Sequence, residues 1–205
     1  MSALRLAVLA SGTGTNLQAI LDTVHGDKGI EVVAVAGDEP EAPALERARG
    51  AGVEVGVFEE GAYADRRARD AAMADWLAER DVGLVVLAGY MRLLSEAFLL
   101  RFSGRVINVH PALLPAFRGL DAIQQALDYG VKVFGVTVHF VDEGVDSGPV
   151  ILQRAIELPD AAEAEAVHDL LRPLEHELLP EAIRLIARGA VSFDAANPRR
   201  VVITG

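Results

Sequence analysis

The chain has 205 residues, 51% of them hydrophobic, enough to bury a substantial core in one α/β domain or two short packed halves. It has no cysteine, which excludes disulfides and thiolate metal sites and accords with a reducing, cytoplasmic setting. The net charge of −11, with Arg66, Arg67 and Arg69 as the only basic cluster, argues against nucleic acid as a partner.

The elements are predicted in chain order. Residues 5–10 read as a buried strand, too short an apolar run for a signal peptide. A glycine-rich turn at 11–15 follows, then a helix from 16 to about 25 with Leu17, Ile20, Leu21 and Val24 at helical spacing. Strands are predicted at 30–36 and 53–58, with a short glycine-ended helix at 43–50 between them. A long helix at 64–80 leads to a continuously apolar strand at 82–88, as in a parallel sheet covered on both faces. A short helix at 95–102, a strand at 106–109, a Pro- and Gly-containing loop at 111–120 and a helix at 121–129 come next. Strands at 133–141 and 150–156 flank a polar turn. Residues 162–188 are mostly helical, with Pro173 and Pro180 expected to kink or divide the helix. No stretch approaches the ~20 apolar residues of a membrane span, so no membrane partner is expected. The alternation of strand and helix predicts a doubly wound, mostly parallel open α/β sheet. It is read as a single domain over 1–205, with a nucleotide-binding half at about 1–100 and a second half at about 101–205.

Three places carry chemistry. Ser11-Gly12-Thr13-Gly14-Thr15-Asn16 follows a strand and opens a helix, so its backbone N–H groups and the positive helix end suit a phosphate. A tight strand-to-helix turn would explain one glycine equally well. The dinucleotide fingerprint fails at its third glycine, where Leu17 stands, although Asp38 and Glu39 end the second strand where a ribose-binding acid would sit. Asn108 and His110, two apart on an apolar strand, project to one face at the carboxyl end of the sheet. They are either a hydrogen-bonded structural pair or part of a site. His139 shares a strand face with Thr137, and either supports Asn108 or Asp146 or is a satisfied core histidine. His25, His168 and His176 read as surface or capping residues.

Taken together, S-G-T-G-T-N-L-Q-A-I, V-L-A-G-Y-M-R-L-L-S, N-V-H-P-A-L-L-P and G-V-T-V-H-F-V-D-E-G-V-D-S-G-P-V-I-L-Q resemble the folate-dependent formyltransferases, from about residue 5 to residue 185. The phosphate loop and the length narrow the resemblance to the glycinamide ribonucleotide formyltransferases of the purine pathway. The resemblance implies a Rossmann-like formyltransferase fold. It also implies transfer of a formyl group from the cosubstrate 10-formyltetrahydrofolate to the amine of phosphoribosylglycinamide. Asn108, His110 and Asp146 would be catalytic. Gly14, Thr15 and Asn16 would hold the substrate phosphate, and Glu175 would contact the same substrate. Met91, Arg92, Leu93 and Leu94, with Asn108 and the turn from Asp142 to Asp146, would line the folate pocket, and Arg66 would meet the folate tail. The protein would act as a monomer or homodimer. Arg118-Gly119 stands where Pro-Gly is usual, which predicts a less rigid loop after His110. Thr15 stands where serine is usual and keeps the hydroxyl.

The implied chemistry accounts for these residue types. Amine attack on the formyl carbon builds an oxyanion, and Asn108 with protonated His110 would donate to it. Losing one such donor costs about 10²- to 10³-fold in rate. Asp146 beside His110 would hold the imidazole in its charged form and pass protons. No metal and no covalent enzyme intermediate is expected. The alternatives are a formyltetrahydrofolate hydrolase using the same three residues, or a non-catalytic nucleotide-binding module, which would leave those three without a role.

Overall fold

The computed structural model describes residues 3–27 and 29–204. Its elements are β1 (Leu4–Leu9), α1 (Thr15–Thr23), β2 (Ile30–Gly37), α2 (Pro43–Gly50), β3 (Glu54–Val57), α3 (Arg66–Ala78), β4 (Leu84–Leu87), α4 (Glu96–Arg101), β5 (Val106–His110), α5 (Ala122–Tyr129), β6 (Val133–Phe140), β7 (Val150–Glu157), α6 (Ala164–Ala187), β8 (Val191–Phe193) and β9 (Val201–Ile203). Seven strands form one sheet in the order β3-β2-β1-β4-β5-β6-β7, mostly parallel, with helices between strands as the alternation predicts. The chain divides between Ile107 and Asn108 into two compact units, somewhat later than the boundary expected near residue 100.

In the first unit β1 pairs in parallel with β2 on one side and β4 on the other, and β2 pairs with β3. Strand order therefore reverses between β1 and β4. At such a switch point the loops after two neighbouring strands diverge and leave a crevice at their carboxyl ends. The buried lengths of the central strands are apolar because both faces are covered: Leu6 to Leu9 and Leu84 to Val86 are buried along their length. A 3₁₀ turn at Glu60–Ala62 lies where no element was predicted.

In the second unit β6 pairs antiparallel with β7, and their register shifts between Val138 and His139. Such a bulge re-aims the side chain beside it. The helix α6 runs unbroken from Ala164 to Ala187 through both prolines, so the expected division does not occur. Each proline removes one backbone hydrogen bond, but Val167, Leu171, Leu178, Leu179, Ala182 and Ile183 keep a buried stripe at helical spacing, packed on β6 and β7. The stripe outweighs the two lost bonds. The short antiparallel pair β8–β9 was not predicted.

Candidate active site

The carboxyl end of β5 carries Asn108 and His110 on one face, as the period of two requires. His110 is 5% exposed. Its Nδ1 lies 3.3 Å from Asp146 Oδ2 and its Nε2 2.8 Å from the Phe117 carbonyl. A carbonyl only accepts, so Nε2 carries a proton, and a carboxylate at Nδ1 favours a second. Both ring nitrogens thus face acceptors, an arrangement suited to imidazolium. His139 differs. Its Nδ1 faces the Phe140 carbonyl at 2.8 Å, and its Nε2 meets the Asn108 amide nitrogen at 3.3 Å. That pattern fits a neutral ring with Nδ1 protonated and Nε2 accepting. Of the two readings of His139, support of the Asn108–Asp146 cluster is the one the contacts match.

Asn108 Nδ2 also donates to Asp146 Oδ1 at 3.2 Å, so its two N–H groups both point within the cluster. Asp146 Oδ2 accepts from the Gly119 backbone N–H at 2.8 Å. Burial alone would raise the Asp146 pKa. The neighbouring His110 and the Gly119 N–H outweigh burial and hold this carboxyl below its ordinary range. A cavity of about 450 Å³ opens beside Asp146, lined also by Leu114, Arg118 and Arg199.

The loop after His110 is tied down at several points. Thr137 Oγ1 donates to the Ala112 carbonyl at 2.6 Å and accepts from the Leu114 N–H at 3.1 Å. Gln153 Nε2 bonds the Leu114 carbonyl at 2.9 Å, and Gln125 Nε2 bonds the Arg118 carbonyl at 3.1 Å. With the bonds of Phe117 and Gly119 to the cluster, these tie the loop to its surroundings at several points.

In the first unit the glycine loop sits at the switch point. Gly14 caps α1 in the left-handed region at φ 72, ψ 30, and the helix start has no side-chain cap and no acidic residue in its first turn. An anion approaching these amides meets no competing carboxylate there. Ser11 ties the loop to the segment after β4: its N–H donates to the Gly89 carbonyl at 3.1 Å, and its Oγ accepts from the Met91 N–H at 3.0 Å. Met91 and Leu93 are 65% and 59% exposed, an apolar surface at the sheet's carboxyl end. Arg92 is instead engaged with carboxylates, with Nε 2.6 Å from Asp38 Oδ2 and contacts to Glu60 and Glu39. Burial would raise the Asp38 pKa, but Ser11 and Arg92 outweigh it and keep Asp38 lowered. The acid that a ribose-binding fingerprint would need is therefore already paired.

The sequence profile described as formyl transferase matches residues 4–183. This chain belongs to the formyl transferase family. Among relatives of this formyltransferase, the phosphoribosylglycinamide formyltransferase of Mycobacterium tuberculosis is 44% identical over 202 residues, 97% of this chain and 94% of that protein. The crystal structure of glycinamide ribonucleotide transformylase 1 from Symbiobacterium toebii matches with a TM-score of 0.94 at 48% identity, covering 99% of this chain and 95% of that one. The bovine trifunctional purine biosynthetic protein adenosine-3 is 40% identical over 188 residues, and this chain spans 19% of its length.

Other expected residues of the formyltransferase fall as follows. Arg66 opens α3 and is exposed, but Arg69 is 1% exposed and its Nη2 pairs with Asp70 at 2.8 Å. The three arginines are thus not one surface cluster, because Arg69 points inward. Asp70 in turn accepts the Ser95 N–H at 2.5 Å, and Arg69 reaches the Leu93 carbonyl at 3.3 Å, so this buried pair holds the 93–95 segment. Glu175 lies on the buried stripe of α6, 4.0 Å from His168 Nε2. Asp142 is tied into its own turn, accepting from Ser147 Oγ at 2.5 Å. His25 caps the chain near β2, accepting the Val32 N–H at 3.1 Å. His176, read as a surface or capping residue, is half-buried, and its Nε2 is buried without a hydrogen bond among the described residues. The roles of Phe117, Gly119 and Arg199 carry no sequence signal, since the first two act through backbone atoms and the third is remote along the chain.

Proposed function

We propose that this formyltransferase moves the formyl group of 10-formyltetrahydrofolate to the primary amine of phosphoribosylglycinamide. The observation that carries the reading is the buried cluster in which Asp146 joins Asn108, His110 and His139 at the end of β5. Attack by the amine nitrogen on the formyl carbon forms a tetrahedral adduct with a negative oxygen. The His110 imidazolium donates to that oxygen, and Asn108 does so by exchanging one of its internal bonds. The new ammonium loses a proton toward Asp146, directly or through water, and the folate nitrogen gains one as its bond to carbon breaks. The products are the formylated amine and tetrahydrofolate. General acid–base help of this kind contributes roughly 10²- to 10⁴-fold.

Gly14, Thr15 and Asn16 are assigned to the substrate phosphate, supported by the uncapped start of α1. Met91, Leu93 and Leu94 are assigned to the pterin, with Met91 and Leu93 supplying exposed apolar surface, and Arg92 contributes through its backbone because its guanidinium is paired. Arg66 is assigned to the folate tail, Asp142 to shaping the turn that carries Asp146, and Glu175 to the ribonucleotide. The test is a two-substrate assay with purified protein. Tetrahydrofolate should appear only when phosphoribosylglycinamide is present. Release of formate at an equal rate without the amine would overturn the transfer reading in favour of hydrolysis.

A further inference from the structure

Asp146 sits on the turn between β6 and β7 at φ 45, in the left-handed region that costs energy for any residue with a side chain. Such a conformation persists only where the surroundings hold it. Inside the turn, Asp142 Oδ1 accepts from the Gly144 N–H at 3.1 Å and from Ser147 Oγ at 2.5 Å. These bonds close the turn upon itself but do not fix it to anything else. Arg199 supplies an external tie: its guanidinium donates to the Ser147 carbonyl and lies 4.0 Å from Asp142 Oδ2. One side chain therefore touches the turn on both sides of Asp146.

We propose that Arg199 is a positioning residue for the catalytic turn, with the β8–β9 hairpin as its rigid mount. The loop that carries Arg199 is ordered by its own bonds. Asp194 Oδ1 accepts from the Ala196 and Asn197 N–H groups at 2.8 and 3.3 Å, and Asn197 Oδ1 accepts from the Arg199 N–H at 3.1 Å. The Asp194 N–H donates to the Arg200 carbonyl at 2.9 Å, which closes the loop. Where β8 enters the loop, Phe193 packs on Phe140, the last residue of β6 before the turn, with ring centroids 4.9 Å apart. The mount thus begins where the catalytic turn begins. Two observations separate this from an ordinary surface ion pair, which contributes little. The main bond goes to a backbone carbonyl, and the forked guanidinium reaches two groups from a fixed base.

The inference rests on the reading of Asp146 as catalytic, and the experiment separates the two. Hydrogen exchange of the full chain is compared for wild type, Arg199→Ala and Arg199→Lys, with kcat and both KM values measured alongside. In Arg199→Ala, exchange over residues 141–149 should quicken while residues 191–203 stay protected. In the same variant kcat should fall about tenfold, since small misplacement of a catalytic group is costly in rate, with KM for the amine substrate unchanged. Lysine, which keeps charge and donors, should recover most of both effects. Unchanged exchange in the turn overturns the proposal. So does unchanged kcat despite faster exchange, and so does loosening of the hairpin itself, which would make the role one of folding. A wild-type protein without transferase activity defeats the functional reading, while the exchange measurement still reports on the mount.

Discussion

Asp146 accepts from one backbone and one side-chain donor and faces two imidazoles, and its backbone conformation favours aspartate or asparagine over most other residues. Asp146→Asn is therefore a discriminating change. It keeps the side-chain shape and the tolerance for positive φ, and an amide oxygen can still accept from Gly119. It removes the charge that His110 faces. We expect kcat to fall about 10²- to 10⁴-fold, the range of general acid–base contributions. KM for either substrate should change little, and thermal stability should fall only slightly, because the amide keeps the bond from the Gly119 N–H. A structural Asp146 would give the opposite split, with a lowered melting temperature and nearly normal turnover per folded molecule. The Asn108–His110 pair was legible in the sequence because a strand's period of two puts both on one face. Asp146 was not legible by that route. An acidic residue in a glycine-rich turn looks like any solvated turn, and only its motif neighbours singled it out. His139 remained ambiguous since a bulge, invisible in the sequence, sets where its ring points.

Elements with strong periodicity were read correctly: α2 matches its expected limits, and the other strands and helices differ mainly at their ends. The failures have physical causes. β8 and β9 are three residues each, too short for an alternating pattern to show. The prolines of α6 do not divide it, because its buried stripe overrides the local rule. The glycine loop shows how structure sharpens a sequence argument. At Gly14 a side chain would be strained by φ 72, and its Cβ would meet Ala44 of α2 at 2.7 Å. Gly14→Ala should therefore destabilise the fold by about 2 to 4 kcal/mol from the backbone and the overpacking together. That lowers Tm by roughly 4 to 16 °C for a chain of this size. It is a poor probe of ligand binding. At Gly12 an added Cβ meets nothing within 4 Å. Gly12→Val should leave Tm nearly unchanged yet raise the KM for phosphoribosylglycinamide about tenfold or more, as expected if the side chain disturbs a charge-assisted bond to phosphate. An unaltered KM in a well-folded Gly12→Val protein would remove the phosphate assignment from this loop.

The whole molecule carries a net charge of −11, and four groups with displaced pKa values are expected to shape its response to pH. On the acid side, His176 comes first: burial, with Arg172 nearby, lowers its pKa below 6.5. The unfolded chain then binds this proton before the folded one does, so stability declines as pH falls below 6.5. Asp38 and Asp146 follow. Both are held below their ordinary value of 3.8, so the stability they contribute is complete above that pH and is lost as pH falls through their folded values. On the alkaline side Tyr90 dominates. Burial pushes its hydroxyl from 10.0 up to about 12, and the hydroxyl has no hydrogen-bond partner among the described residues. Above pH 10 the unfolded chain ionises this tyrosine and the folded chain does not, which withdraws on the order of 2 to 3 kcal/mol by about pH 12. Thermal unfolding measured across pH should therefore show a plateau from near neutrality to about pH 9 with a separate limb on each side. Two variants assign the limbs. Tyr90→Phe removes an ionisable group that makes no hydrogen bond among the described residues, so it should flatten the alkaline limb without lowering Tm on the plateau. His176→Gln should flatten the first part of the acid limb and leave the steeper carboxylate part in place. An alkaline limb that persists unchanged in Tyr90→Phe would show that general repulsion among the excess negative charges, rather than this buried phenol, governs unfolding there.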